Sequence, residues 1–267
     1  MQIHEIISIL ESWAPPIYQE SYDNSGLLVG DSNVEVTKAL ITLDCTEAVI
    51  DEAIQEQCNL IIAHHPIIFS GLKQIIGQNY VERTILKAIK NDIAIYAIHT
   101  NLDNIASGVN SMISARIGLQ NTKILSPKQS IDQNLDNQIV GSGMIGDLKE
   151  EMSLKEFLQF LKIQFDLKAI KYTEFSKKIK RVAVCGGSGS FLRLDAYANN
   201  ADAFITSDFK YHEWFDSEGQ MSYIDIGHYE SERFTKELIY DYLKKNALHL
   251  HPQISGIDTN PVKIYTL

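Results

Sequence analysis

Short apolar runs alternate with helix-forming stretches along most of the chain, and this alternation constrains the fold more than any other feature. In the first half the runs are TKALITLD, NLIIAHHP and DIAIYAIHT, separated by helical segments that begin near Glu47 and at Val81. Parallel strands need such crossover helices and, because they are buried on both faces, they form nearly continuous apolar runs. The first half therefore predicts a largely parallel sheet covered by helices.

The alternation resumes after a polar stretch near residues 121–138. The expected strands are NQIVGSGMIG, a segment near Lys168, KRVAVCGG, ADAFITSD and MSYIDIGH; helices are expected from Ser153, from Phe191, near Trp214 and through SERFTKELIYDYLKKN. The sequence thus predicts an α/β protein with two interlinked domains and mixed, largely parallel sheets. We expect residues 1–124, joined by 227–267, to form the first domain and residues 125–226 the second. LSPKQSIDQNLDN (125–137) is the candidate linker, and the terminal PVKIYTL is expected to return as a strand to the first domain.

Composition excludes several classes of protein. No apolar run approaches the roughly 20 residues that a membrane span requires, and the N-terminus reads as an amphipathic helix rather than a signal peptide. The net charge of −10 disfavours nucleic-acid binding by counterion release. Three scattered cysteines suggest neither a disulfide framework nor a zinc motif. We therefore expect a cytoplasmic protein.

Polar, chemically active side chains follow several of these predicted strands. His64 and His65 end NLIIA, Asp103 follows DIAIYAIHT, Asp208 follows ADAFIT and His228 follows MSYIDI. Ligands of open α/β sheets bind beyond the carboxyl ends of the strands. Because these four strand ends supply imidazoles and carboxylates, they are candidates for a metal site.

Adjacent histidines in an extended backbone point to opposite sides, so His64 and His65 favour two metal ions over one. The alternative is a hydrogen-bonded core histidine beside a solvent-facing one. His228 and Glu232 stand four apart and share one face of a helix, where they can chelate one ion or share two, although a surface contact is the commoner meaning of such a pair. Asp103 can bridge two ions or cap the next helix.

Three imidazoles and two carboxylates without a thiolate suit zinc, iron, manganese, nickel or cobalt rather than calcium. Two such ions would lower the pKa of a bridging water, which is a hydrolytic arrangement. His99 is a candidate donor to a metal ligand or to a substrate, or a hydrogen-bonded histidine at a sheet end. His212 is a candidate acid–base residue or substrate contact, or it lies on a helix that Asp208 merely caps. The turn CGGSGS (185–190) could hold a phosphate through its amides, or be an ordinary strand-to-helix turn.

At these residues the chain resembles the NIF-three-like family, many of whose bacterial members are named GTP cyclohydrolase I type 2 homologues. The resemblance covers nearly the whole chain. It is carried, in the family's order, by WAPPIYQESYDNSGLLVG, IIAHHPIIF, YAIHTNLDN, ITSDFKYHEW and IGHYESE. Ser207 stands where the family often has glycine, and the chain lacks the inserted domain of longer members.

The resemblance implies a dinuclear metal centre at the junction of the two domains, with His64, His65, Asp103, His228 and Glu232 as ligands, and a ring-shaped homohexamer. The cyclohydrolase name implies a small-molecule substrate, hydrolysis at C8 of a guanine ring, proton transfer by His99 or His212, and a triphosphate held by the GGSGS turn or a lysine.

Three functional classes stay open: a metal-dependent hydrolase of a nucleotide or related heterocycle, a metal-delivery or cofactor-assembly protein, and an oligomeric interaction module with structural metals. The hydrolase is favoured because five ligands on two ions leave coordination positions open.

Overall fold

The computed structural model describes residues 1–128 and 139–265. Its strands are β1 (Gly26–Val29), β2 (Ala39–Thr42), β3 (Leu60–Ala63), β4 (Ala94–Ala97), β5 (Gln120–Pro127), β6 (Gly141–Met152), β7 (Lys171–Tyr172), β8 (Ile179–Val184), β9 (Ala203–Thr206), β10 (Ser222–Asp225) and β11 (Pro252–Ile254). Its α-helices are α1 (Ile3–Trp13), α2 (Glu47–Gln55), α3 (Tyr80–Lys90), α4 (Thr100–Asp103), α5 (Val109–Ile117), α6 (Leu154–Gln164), α7 (Arg193–Ala198), α8 (His228–Glu232) and α9 (Thr235–Asn246). Short 3-10 helices span Pro16–Tyr18, Ser190–Leu192 and Tyr211–Ser217.

The chain divides into two compact units, one of residues 1–102 and 234–261, the other of residues 103–233 and 262–267. This division by contacts places α5 and β5 with the second unit, because β5 pairs with β6 and α5 packs on β6 and β8. The domain boundaries near residues 124 and 226 stay a prediction that rests on local sequence. No described helix has the length and apolar character that a membrane crossing demands.

The first unit is built on a five-stranded sheet with the order β1–β4–β3–β2–β11. Every pairing is parallel except that of β1 with β4. All four residues of β2, β3 and β4 are buried, as expected for central strands covered on both faces. Helices α2 and α3 pack on the face that carries Leu40, Ile61 and Ile95. The carboxyl ends of four parallel strands, β2, β3, β4 and β11, therefore meet at one edge of the sheet.

Local sequence explains where the helices of this unit begin. The Thr46 hydroxyl accepts a hydrogen bond from the amide of Val49 at the start of α2, and the Asn79 side chain accepts one from the amide of Glu82 at the start of α3. Both residues cap amides that have no partner within the helix. The N-terminal helix predicted from its amphipathic pattern is α1, whose apolar side is buried.

The second unit is built on a six-stranded sheet with the order β5–β6–β8–β9–β10–β7. The pairings of β8 with β9 and of β9 with β10 are parallel, whereas the pairings that involve β5, β6 or β7 are antiparallel. Both sheets are thus mixed, as predicted. The parallel strands β8, β9 and β10 carry the second group of strand-end residues.

Three details of the predicted secondary structure were wrong. The polar stretch after residue 120 contains β5, whose first four residues are exposed and whose pairing comes from β6; residues 129–137 of the candidate linker lie outside the described residues. The last long helix is two helices, α8 and α9. The C-terminal strand beside β2 is β11, whereas residues 261–265 of PVKIYTL contain no strand and the final two residues lie outside the described range.

Candidate metal centre

Three histidines of the first unit lie at the carboxyl ends of neighbouring strands. His64 and His65 follow β3 and His99 follows β4 after one residue, and these two strands pair in parallel. The ring centroids of His64 and His65 are 4.9 Å apart, and His99 lies 5.3 Å from each of them. One ring nitrogen of each histidine lies within 4.8 Å of those of the other two. The first unit thus brings three imidazoles together.

The expectation that His64 and His65 point to opposite sides was wrong. Strand β3 ends at Ala63 and the backbone bends at both histidines, so the alternation of side chains along an extended strand no longer applies. Their rings lie side by side, with an angle of 43° between their planes. The adjacency of these residues therefore does not by itself require two ions.

Each of the three rings has its Nδ1 atom in a hydrogen bond. Nδ1 of His64 lies 2.8 Å from the carbonyl oxygen of Ile98, and the Nδ1 atoms of His65 and His99 each lie 2.7 Å from a carboxylate oxygen, of Asp44 and Asp23 respectively. An acceptor at Nδ1 favours the tautomer that carries the proton there, which leaves the lone pair of Nε2 to bind a metal ion. These contacts are the arrangement expected around metal-binding histidines.

Asp23 is held more firmly than a surface carboxylate. It accepts hydrogen bonds from the amide of Thr100 at 3.0 Å, from the hydroxyl of Thr100 and from the amide of Asn24 at 2.7 Å. Burial alone would raise its pKa, but the hydrogen bond and charge interaction with His99, together with the contacts of Thr100 and Asn24, hold the pKa well below its usual range. Asp23 is therefore a fixed negative charge behind His99.

Asp44 has the same role behind His65 and is anchored by the C-terminal segment. Its Oδ1 atom contacts His65, while its Oδ2 atom accepts a hydrogen bond from the hydroxyl of Thr259 at 2.6 Å. Burial raises the pKa of Asp44, and the contacts with His65 and Thr259 outweigh this effect and lower it. A cavity of about 430 Å³ adjoins Asp44 and His65 and is also lined by Ile67 and Tyr80.

In the second unit, His228 and Glu232 form a pair on helix α8. The Nε2 atom of His228 lies 3.1 Å from a Glu232 carboxylate oxygen, and its Nδ1 atom lies 2.6 Å from a carboxylate oxygen of Asp208. Burial lowers the pKa of His228, but the hydrogen bonds and charges of Asp208 and Glu232 raise it to about 11. Two acidic side chains thus flank the His228 ring. They stabilise a positive charge there, which either a proton or a bound metal ion can supply.

Asp103 is the last residue of α4, and a carboxylate oxygen of Asp103 lies within 4.8 Å of one of Glu232. Its backbone carbonyl accepts a hydrogen bond from the Asn110 side chain at 3.1 Å. In the second unit the carboxylate of Glu232 therefore lies near both the imidazole of His228 and the carboxylate of Asp103, and the sequence singled out all three residues.

The glycine-rich turn after β8 lies against His228 and Glu232 and does not form a phosphate site. The amides of Gly186, Gly187 and Gly189 donate to side-chain oxygens of Asn110, Ser231 and Thr206, so they are committed within the protein. Gly187 has a φ of +60°, and a Cβ atom there would collide with Oε1 of Glu232 and lie 3.1 Å from Nε2 of His228. The phosphate-binding interpretation of CGGSGS is therefore not supported.

Ser207 also contributes to this turn. Its hydroxyl donates to the carbonyl oxygen of Gly187 at 2.5 Å, and its amide donates to the same oxygen at 3.0 Å. The side chain that departs from the glycine of the resembled family thus fastens the turn that lies against Glu232.

His212 lies on the 3-10 helix Tyr211–Ser217 and is exposed. Its ring centroid is 5.3 Å from that of Tyr211 and 6.4 Å from that of Phe215. Its assignment as an acid–base residue stays a prediction, as does that of His99.

Sequence reasoning missed the carboxylates that hold the histidines. Asp44 follows β2 after one residue, so the strand-end rule that selected the other candidates also applies to it. Asp208 was selected at a strand end as a candidate for the metal site or as a helix cap, but not as a partner of His228. Asp23 lies in a loop 76 positions from His99, and we find no local signal for it.

The donor atoms fit divalent transition metals. Four imidazoles have their Nδ1 atoms on carbonyl or carboxylate oxygens. The carboxylate of Glu232 lies beside His228, and that of Asp103 lies near Glu232. Nitrogen and oxygen donors of this kind suit zinc, iron, manganese, nickel or cobalt. Fold and side chains together define the class: an α/β protein with two mixed sheets and groups of histidine and acidic residues that can hold metal ions.

The chain belongs to the Duf34/NIF3 (NGG1p interacting factor 3) family, whose profile matches residues 1–261. A protein of Clostridium acetobutylicum named GTP cyclohydrolase 1 type 2 homolog is 35% identical over 251 residues, covering 93% of this chain and 91% of the relative. A Staphylococcus epidermidis protein of the same name is 29% identical, covering 98% and 100%. That alignment extends over 366 residues, more than this chain contains, so the relative carries residues that this chain lacks.

Solved structures confirm the fold. A Bacillus cereus protein related to NIF3 matches with a TM-score of 0.90 and 28% identity, covering 99% of both chains. A Staphylococcus aureus hypothetical protein matches with a TM-score of 0.90 and 31% identity, also covering 99% of both chains. The predicted α/β class and the resemblance to this family are thus both confirmed.

Proposed function

We propose that the chain binds two divalent metal ions through His64, His65, Asp103, His228 and Glu232 and hydrolyses a nucleotide or related heterocycle. The single observation that carries the proposal is the hydrogen bonding of the histidines. Nδ1 of each proposed imidazole ligand contacts a carbonyl or carboxylate oxygen, as metal-binding histidines require. The names of the clostridial and staphylococcal relatives support a nucleotide as the substrate.

Ions held there would lower the pKa of a bound water and polarise the substrate. The protein's own contribution is orientation: Asp44 and Asp208 fix the rings of His65 and His228. The cavity beside His65 is large enough for a heterocyclic ring, and the Tyr80 side chain in its wall offers an aromatic surface. His99 and His212 are the residues that we assign to proton transfer.

Elemental analysis and a turnover screen on the same samples test this function. We expect about two ions per wild-type chain, loss of metal in the variant His65→Ala/Glu232→Ala, and metal-dependent turnover of GTP or a related nucleotide by wild type only. His249→Ala is the matched control, because His249 is an exposed histidine and its loss should leave metal content and turnover unchanged.

The outcomes separate the functional classes. Wild-type chains that carry both ions but turn over no nucleotide would remove the hydrolase and favour metal delivery or cofactor assembly. Dissociation of an oligomer on removal of the metal, again without turnover, would favour a structural role. Wild-type chains that bind no ion after reconstitution would contradict the proposed ligand set.

We propose in addition that the protein acts as a cytoplasmic homohexamer on a small-molecule substrate. Its three cysteines are free thiols and buried, which suits a reducing compartment.

A further inference from the structure

The segment that follows β11 begins at the edge of the first sheet where the strand-end residues lie. Strand β11 pairs in parallel with β2, so both strands end at that edge. The amide of Ser255 donates a hydrogen bond to the carbonyl oxygen of Ile41 in β2 at 2.8 Å. Residues 255–261, which we call the C-terminal strap, therefore start beside the strand that leads to Asp44.

Two groups of hydrogen bonds hold the strap in place. The carboxylate of Glu52 in α2 accepts hydrogen bonds from the hydroxyl of Ser255 and, at 2.8 Å, from the amide of Gly256. Further along the strap, the hydroxyl of Thr259 donates to Oδ2 of Asp44 at 2.6 Å. The strap therefore joins helix α2 to the aspartate that orients a proposed metal ligand.

Asp44 divides its carboxylate between two partners. Its Oδ1 atom lies 2.7 Å from Nδ1 of His65, and its Oδ2 atom accepts the hydrogen bond from Thr259. The Asp44 side chain is 34% exposed, so water can compete for its oxygens and burial does not fix the orientation of the carboxylate. Rotation of the carboxylate would misalign Oδ1 and the imidazole. The hydroxyl of Thr259 opposes this rotation.

Asp23 shows the same arrangement in a buried setting. Its Oδ1 atom contacts Nδ1 of His99, and its Oδ2 atom accepts hydrogen bonds from the hydroxyl and the amide of Thr100. The Asp23 side chain is fully buried, so its surroundings fix it as well. Because Asp44 is more exposed, its orientation depends more strongly on a threonine hydroxyl, that of Thr259.

We propose that Thr259 is a positioning residue that orients His65 through Asp44, so that metal binding at His65 is linked to the attachment of the C-terminal strap. The inference rests on the proposed function only in placing a metal ion at His65. Because such linkage is reciprocal, an ion on His65 stabilises the attached strap, and release of the strap weakens binding of the ion. Thr259 also lines the cavity beside His65, so the strap holds one wall of that cavity.

Cobalt titration of the full-length chain measures this dependence without reference to turnover. Thr259→Val removes the hydroxyl and nearly keeps the side-chain volume, so we expect Co²⁺ affinity to fall at least about 10-fold and the visible absorption of bound cobalt to change. Thr259→Ser keeps the hydroxyl and should retain the wild-type affinity and spectrum. Thr37→Val is the matched control: the exposed Thr37 donates its hydroxyl to the carbonyl oxygen of Gln57 at 3.0 Å, and its replacement should change neither.

Hydrogen exchange tests the reciprocal effect on the strap. The amide of Ile257 donates to the hydroxyl of Ser255, and the amide of Asn260 donates to the carboxylate of Asp258. Saturation with Co²⁺ should slow exchange of both amides in the wild-type chain and in Thr259→Ser. This protection should be lost in Thr259→Val.

Wild-type cobalt affinity and spectrum in Thr259→Val would overturn the proposal, as would a Thr259→Ser variant that binds Co²⁺ as weakly as Thr259→Val, because the role is assigned to the hydroxyl. Far-UV circular dichroism establishes that each variant is folded. A wild-type chain that binds no Co²⁺ would contradict this inference together with the metal site. Nucleotide turnover is measured separately, so a chain without turnover whose cobalt binding depends on Thr259 disproves the hydrolase and supports this inference.

Discussion

At the scale of single residues, the chemistry of this protein depends on pairs: each histidine at a strand end is oriented by an oxygen at its Nδ1 atom. Asp23, Asp44 and Asp208 provide three of these oxygens. This pairing gives the carboxylates beside His65, His99 and His228 an orienting role. The affinity of these histidines for a metal ion therefore depends on residues that do not themselves bind the ion.

Gly187 provides a residue-scale prediction. Replacement with alanine places a Cβ atom against Oε1 of Glu232 at a φ of +60°, so we expect loss of about 1–2 kcal/mol of stability and a drop in metal affinity of at least about 10-fold. Gly219→Ala is the matched control, since Gly219 has a φ of +67° with no atom within 4 Å of an added Cβ. The Gly219→Ala variant should lose a similar amount of stability and keep its affinity for metal. Chemical denaturation measures the stability and metal titration measures the affinity. An equal loss of metal affinity in both variants would contradict the role of Gly187.

At the scale of elements, the loop after β3 is closed by the first turn of α3. The buried Glu82 carboxylate accepts hydrogen bonds from the amides of Ile76 and Gln78 and from the Asn79 side chain. The backbone hydrogen bonds from Gln78 and Ile76 lower its pKa from the ordinary value of 4.5. One carboxylate thus fixes the end of the loop that begins directly after His64 and His65.

We expect Glu82→Gln to increase hydrogen exchange at the amides of Ile76 and Gln78. Because the pKa of Glu82 is lower in the folded state, its stabilisation is complete above pH 4.5 and is lost as the pH falls below that value. The ratio of exchange rates between variant and wild type should therefore be largest near neutral pH and shrink in acid. Glu218→Gln, at an exposed position, serves as control, and a ratio that does not vary with pH would contradict the assignment.

At the scale of the whole molecule, apolar surface on the first unit supports the proposed oligomer. The loop after β3 exposes Phe69, Leu72, Ile75 and Ile76, with Ile76 59% exposed. Contiguous exposed apolar side chains mark protein–protein contact surfaces in soluble proteins. Burial of this loop against another copy would cover them.

Light scattering after size-exclusion chromatography should give the mass of six 30.1-kDa chains. Phe69→Lys/Ile76→Lys should reduce this mass, because burial of two charges without partners is unfavourable. Ile163→Lys, at a 71% exposed position of α6, should leave it unchanged. A wild-type monomer would disprove the hexamer, and a hexamer that tolerates both lysines would locate its interface elsewhere.

The local sequence was sufficient for the central strands of the first sheet and for the choice of candidate donor residues. The runs ALIT, LIIA and AIYA are strands because continuous apolar stretches between capped helices can only be buried in a covered parallel sheet. His64, His65, Asp103 and His228 were selected as candidates because a parallel sheet directs its strand ends to one edge, and Glu232 was selected because it stands four residues after His228. These conclusions need only neighbouring residues and the known periodicities.

Only the tertiary structure decided which groups hold those donors. Asp23 reaches His99 from 76 positions away, Asp44 reaches His65 from 21 and Asp208 reaches His228 from 20. Strand order and register bring these partners together, and a local stretch of sequence contains neither. The same holds for the turn at residues 185–190, where the positions of Asn110, Ser231 and Thr206 determine that the amides bind side chains. Residue type and spacing determine which side chains are available, whereas chain packing determines the hydrogen bonds that orient them.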